Sequence, residues 1–167
     1  MTSTTWTEHH RRASALKDVV ATIEANPGND LPWPDIAAET FRDEDDLLIA
    51  LHDLWTRRLQ ARIELALEID DASLDTSVGN AWHAVAAEMP GVRALLDRYA
   101  DHPALRRPED AEHRLVAVAA GLATLGDPLV RTAKLGRGFV AKVRELGPPA
   151  VRKPLSLGAR LREVFAA

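Results

Sequence analysis

Asp43-Glu-Asp-Asp-Leu-Leu-Ile-Ala-Leu-His-Asp-Leu-Trp-Thr-Arg-Arg-Leu-Gln-Ala-Arg-Ile-Glu-Leu-Ala-Leu-Glu-Ile69 is the stretch that decides the fold class. Four acids open it, where the unsatisfied N–H groups and the positive end of a helix dipole favour negative charge. Leu48, Leu51, Trp55, Leu59, Ile63 and Ala66 then recur every three or four residues, while Asp53, Arg57, Gln60, Glu64 and Glu68 fall on the opposite face. The spacing predicts one amphipathic helix over about 44–69, whose apolar stripe needs other elements to cover it.

Upstream, Thr5 with Glu8 has the spacing of a capping box, and Leu16, Val19, Val20 and Ile23 follow at helical intervals. A first helix over about 6–25 is expected, stopped by Asn26-Pro-Gly-Asn-Asp30. Leu31-Pro-Trp-Pro34 reads as a stiff connector into a short helical turn, Asp35 to Thr40. Downstream of the polar turn at Asp71–Asp75, Val78, Trp82, Val85 and Met89 repeat helically up to Pro90. Proline disfavours the α region for the residue before it, so a break is expected there, with a restart over Gly91–Ala100. Pro108 with Glu109, Asp110 and Glu112 marks another start, and Leu115–Leu125 is apolar on nearly all sides as far as Gly126-Asp-Pro128.

Residues 129–146 read as a basic amphipathic helix with Leu135, Phe139, Val143 and Leu146 on one face, weakened by Gly136 and Gly138. Pro148-Pro149 closes it, and Ser156 is a candidate cap for a last short helix bearing Leu157, Leu161, Val164 and Phe165. No strand-like alternation of useful length appears. The expected architecture is all-α, a single-domain bundle of about five to seven helices.

A chain of 167 residues can bury a core of its own, and the absence of cysteine removes disulfides, thiolate metal sites and thiol nucleophiles. The longest apolar run, Leu115–Ala123, is far short of the roughly 20 residues that span a bilayer. No apolar stretch follows the charges of Met1–Arg12, so a cytoplasmic location is expected. Net charge is −4, unevenly spread: residues 1–128 carry 12 Arg/Lys against 23 Asp/Glu, and 129–167 carry nine against two. An acidic bundle (1–128) and a basic helix and tail (129–167) follow, the tail either docked on the bundle or offered to an anionic partner. Its candidate contacts are Arg131, Lys134, Arg137, Lys142, Arg144, Arg152 and Lys153.

Six histidines invite a search for chemistry. Helical carboxylate-bridged metal sites use paired Glu-x-x-His motifs, and this chain has one Asp110-x-x-His113 with no second copy, so no metal or cofactor is expected. Glu109, four residues before His113, suggests instead a local acid–imidazole contact at a solvated helix start. His9 and His10 sit in an exposed first turn. His52 shares a face with Leu48 and Trp55, and His83 follows Trp82, which suggests a pocket or interface built from Leu51, His52, Trp55, Trp82, His83 and Val85. No Gly-x-Ser-x-Gly element occurs, and Gly136-Arg-Gly138-Phe-Val-Ala-Lys142 lacks the strand and the Gly-Lys-Ser/Thr ending of a phosphate loop.

Three stretches, Arg11-Arg-Ala-Ser-Ala-Leu16, Asp35-Ile-Ala-Ala-Glu39 and Phe41-Arg-Asp-Glu-Asp-Asp-Leu-Leu48, resemble the first helix, the second-helix start and the entry to the ligand-binding half of the tetracycline-repressor (TetR-like) family. Ala81-Trp82 through Pro90-Gly-Val-Arg-Ala-Leu-Leu-Asp97 is similar to that half. The recognition helix expected between Glu39 and Phe41 has no counterpart. The resemblance implies a dimeric regulatory bundle that holds an apolar ligand and does not read DNA by helix-turn-helix; apart from the resemblance, an apolar small molecule or a protein is the expected partner, and no DNA sequence is expected to be selected.

The functional expectation is therefore a non-enzymatic regulatory, ligand-binding or interaction domain. It is expected to be a homodimer through the helix 109–125, where Ala117, Val118, Ala120, Gly121 and Leu122 offer a small-residue, apolar strip. The alternatives are a module whose basic tail binds nucleic acid or an anionic membrane and, further off, an enzyme or metalloprotein using His52, His83 or His113.

Overall fold

In the computed structural model, which describes residues 3–33, 37–69 and 71–148, every regular element is helical: α1 (Ser3–Ala25), α2 (Glu44–Ile69), α3 (Leu74–Glu88), α4 (Pro90–Arg98), α5 (Arg106–Ala119) and α6 (Leu129–Leu146), with a 3-10 turn, Pro103–Leu105, leading into α5. The protein is an all-α, single-domain helical bundle. No described helix is long and apolar enough to cross a membrane. Arg152, Lys153 and the expected helix after Ser156 lie outside the described residues.

The central element is α2. Its apolar stripe is buried along the whole length, and α3, α4 and α5 pack around it. Asp43 caps its start by accepting the N–H of Asp46 at 2.8 Å. Asp46 does more than favour the dipole. It is buried and takes a bidentate guanidinium from Arg12 of α1, both bonds 2.9 Å, together with the backbone N–H of Arg42 at 3.2 Å. The same guanidinium lies 4.5 Å from the ring centre of Phe41, so one arginine ties α1 to the mouth of α2.

Helices α3 and α4 divide at Met89, as Pro90 requires. The first N–H groups of α4 have no partner within their own helix, and Glu24 of α1 supplies one: its carboxylate accepts from Gly91 at 2.9 Å and Val92 at 3.0 Å. Glycine permits that approach, since a Cβ at 91 would lie 2.8 Å from the carbonyl oxygen of Ile23.

Two expectations change at the C-terminal end. The helix of 109–125 stops at Ala119, because Gly121 adopts a left-handed conformation (φ 73°) while Leu122 N–H bonds to Ala117 O at 2.9 Å, closing a Schellman turn. The second change concerns Gly136, which weakens α6 in isolation but is what lets it pack. A Cβ there would fall on the carbonyl of His113, so α6 crosses α5 at backbone contact. Thr132, Ala133, Gly136 and Val140 make that close face.

Candidate interaction groove and polar cavity

The close packing of α6 on α5 through small residues turns its larger ones sideways. Leu135, Phe139, Val143 and Leu146, the stripe expected on one face, line an open groove of about 810 Å³ between α3 and α6. Leu135 is 39% exposed, Leu146 73% and Leu122, at the groove's end, 44%; such apolar exposure on neighbouring residues is unusual for surface that stays wet. Arg131, Lys134 and Lys142 of α6 stand along it against a single acid, Asp75. His83 lines its α3 side and places Nε2 3.0 Å from the carbonyl oxygen of Val143.

The rest of the basic helix faces the acidic bundle. Arg137 pairs with Asp110 at 3.1 Å and Arg144 with Asp97; of the groove residues, Arg131 also lies 4.0 Å from Asp127. Charge on α6 is thus partly neutralised within the molecule and partly left at the groove.

Beneath this surface lies a buried polar cluster. Glu112 of α5, 4% exposed, accepts the indole N–H of Trp55 at 3.0 Å, and its other oxygen lies 2.9 Å from Nε2 of His52. His52 Nδ1 lies 3.3 Å from the Thr56 hydroxyl. Burial pushes the Glu112 carboxyl up, but the His52 contact, Arg93 and the Trp55 hydrogen bond outweigh it and hold the group below its ordinary value. Trp55 meets Trp82 edge to face at 5.9 Å, and the Arg93 guanidinium sits 4.7 Å from the Trp55 ring centre.

Against this arrangement the expected pocket residues divide. Leu51, His52, Trp55, Trp82 and Val85 are all within the core, each 5% exposed or less, and only His83 reaches an opening. The expected dimer strip divides too: Ala117 and Ala120 are buried within the chain, Val118 is half-buried, and Gly121 and Leu122 are exposed. Glu112 was legible only as a helix-start acid, because its partners stand 57 and 60 residues away on α2.

Next to the cluster, α4, α5 and α6 enclose a polar cavity of about 650 Å³ lined by Arg93, Asp97, Glu109, Glu112, His113 and Arg137 among others. Burial holds the Glu109 carboxyl above its usual range and the His113 ring below its own, which keeps that imidazole neutral near pH 7. The local contact expected between Glu109 and His113 is not formed: no hydrogen bond or ion pair joins them. Among the described residues no group of three or more His, Asp or Glu is placed to hold a metal ion.

No family model, curated protein or solved structure matches this chain. Any functional reading therefore rests on the groove and the cavity themselves.

Proposed function

We propose that this protein is a helical interaction domain whose α3–α6 groove docks an acidic amphipathic helix of a protein partner. The observation that carries the reading is an apolar groove floored by Leu135, Phe139, Val143 and Leu146 and edged by Arg131, Lys134 and Lys142. An amphipathic helix fills such a groove with residues at i, i+3, i+4 and i+7, and acids on its flanks meet the basic edge. Residues 149–167 suit the groove poorly, since they carry four basic side chains and one acid. A binding role also agrees with the burial of His52 and Glu112, which engage each other rather than an opening.

The TetR-like resemblance is compatible with this reading as a relationship to the partner- or ligand-binding half alone. Between Ile36 and Asp43 there are only six residues, and no α-helix stands at 37–43, so the recognition helix that such repressors lay in the major groove has no counterpart there.

The test is fluorescence anisotropy with a labelled 18-residue helical peptide carrying leucines at i, i+4 and i+7 and glutamates on its flanks, beside a lysine-flanked counterpart. The acidic peptide is expected to bind and the basic one to bind at least about tenfold more weakly, as rim charges of the wrong sign demand. Leu135→Ser with Lys134→Glu is expected to abolish binding without altering the helical spectrum, both side chains being exposed. Equal binding of the two peptides, or binding only to duplex DNA or to anionic vesicles, overturns the reading. Light scattering that shows a dimer dissociated by the same double variant would replace the foreign helix with a second copy of the chain.

A further inference from the structure

The two walls of the groove differ in chemistry. Its α6 side supplies the apolar floor and the basic edge, whereas its α3 side is lined by Asp75, Thr76, Asn80 and His83. The first two are engaged locally: the Asp75 carboxylate accepts the Ser73 hydroxyl at 2.5 Å and the Thr76 N–H at 2.9 Å, and the Thr76 hydroxyl lies 2.9 Å from that of Ser73. Asn80 and His83 keep capacity to spare. Asn80 is half-buried, and its carboxamide makes no hydrogen bond within the protein. His83 is half-buried too, with Nε2 3.0 Å from the carbonyl oxygen of Val143. A carbonyl only accepts, so Nε2 carries the proton of the neutral ring, and Nδ1 is left as an acceptor without a partner. Nε1 of Trp82 and Nδ1 of His113 are buried and unbonded, but neither Nδ1 of His83 nor the Asn80 carboxamide is sealed from the surface in that way.

Residues 80 and 83 are three apart on one helix, so they stand on the same face, and both line the groove. An apolar side chain docked over them would take their polar atoms out of water with nothing in exchange, whereas one that brings N–H groups removes that cost. The charges around the groove select among such side chains. Asp75 on the same wall opposes an acid there, and Arg131, Lys134 and Lys142 of α6 oppose a cation. A neutral carboxamide meets neither objection. It can give one N–H to Nδ1 of His83 and exchange its other N–H and its oxygen with the carboxamide of Asn80.

We propose that Asn80 and His83 select a glutamine or asparagine of the docked helix, on the flank turned to α3 while its acids meet the basic edge of α6. The inference rests on the helix-docking reading of the groove and adds to it the residue type at one contact.

Fluorescence anisotropy with the full-length protein tests this. The parent peptide is an 18-residue helix with the leucine stripe, glutamates on one flank and alanines on the other, and each of those alanines is replaced in turn by glutamine. At pH 8 one position is expected to bind about three- to tenfold more tightly than the parent, the gain that one or two neutral hydrogen bonds give, and glutamate at that position is expected to give no such gain. Asn80→Ala breaks no bond within the protein, so the helical spectrum is expected to be retained while the glutamine-over-alanine ratio falls below about twofold. Protonation of His83 turns Nδ1 into a donor, so in the wild-type protein the same ratio is expected to fall at pH 5.5, about one unit below the ordinary histidine value. The charged groups around the ring are Asp75 of α3, Arg131, Lys134 and Lys142 of α6, and Arg144 of α6 over the neighbouring Trp82 ring, and none of them is paired with it. The 15N resonance of His83 Nδ1 is expected to move further with the glutamine peptide than with the parent. A scan in which no glutamine exceeds the parent, an equal gain from glutamate at pH 8, or a ratio unchanged by Asn80→Ala or unchanged at pH 5.5 each overturns the proposal and leaves the docking reading standing. Failure of every peptide, the parent included, to bind at millimolar concentration overturns both.

Discussion

Glu112 shows how much a single buried charge can depend on its surroundings. The carboxylate is out of water, and what makes it tolerable is the paired contact with His52 and Trp55 from α2. Removing the partners' acceptor strands a buried imidazole and an indole N–H. Glu112→Ala is therefore expected to cost about 3–5 kcal/mol in urea unfolding, the range for breaking a buried pair from one side. Glu112→Gln keeps an acceptor for the indole and is expected to cost less. A loss below about 1 kcal/mol for the alanine variant, the level of an ordinary exposed pair, would show that the cluster is solvated in solution.

At the scale of elements, two glycines on the same helix make a controlled comparison. A Cβ at Gly136 collides with the backbone of His113, whereas a Cβ at Gly138 meets nothing within 4 Å. Gly136→Ala must push α6 away from α5 and is expected to destabilise by about 1–3 kcal/mol or more, as overpacking does. Gly138→Ala gains helix propensity and is expected to stabilise by about 0.5–1 kcal/mol. Thermal melts of the pair check the crossing, since equal shifts would mean that the helices do not touch at 136. The Glu24 carboxylate that caps α4 from α1 is a similar device between elements. Glu24→Ala is expected to cost about 1 kcal/mol, the size of a lost N-cap, and to loosen the α1–α4 contact first, visible as faster amide exchange at Gly91 and Val92.

Over the whole molecule, acid should destabilise the bundle. Asp46 is held well below the ordinary carboxylate range by the Arg12 hydrogen bonds, outweighing the effect of burial, and Glu112 is held below by its contacts. Each takes up protons more readily when unfolded, so its contribution is present above the unfolded values of 3.8 and 4.5 and is lost as pH falls through them towards the folded ones. His113, lowered by burial, adds a loss that begins below 6.5, whereas Glu109, raised by burial, opposes the trend around 4.5. The urea midpoint is expected to fall from pH 7 to pH 4, and His113→Gln to flatten the portion between pH 7 and 5. A midpoint independent of pH in that range would contradict the burial of His113.

The run from Asp43 to Ile69 carried its own structure in its periodicity, because a stripe every three or four residues has one compact solution, and all of that stripe is buried in α2, together with Asp46, Leu47, Ala50 and His52. The break at Pro90 and the helix over 129–146 were legible for the same local reason: proline geometry and apolar spacing act within a few residues. The end of α5 at Ala119 rather than Leu125 depended on Gly121 taking a left-handed turn, which an apolar run conceals. What only the tertiary structure decided is which face each helix turns inward. Leu135 and Leu146 were apolar enough for a core, yet the approach at Gly136 gives that side of α6 to small residues and leaves the large ones to the groove. Likewise Glu112 became a buried partner of His52 and Trp55, 60 and 57 positions away on α2, and Glu109 a wall of the cavity through the packing of α4 and α6 beside α5, which no local pattern records.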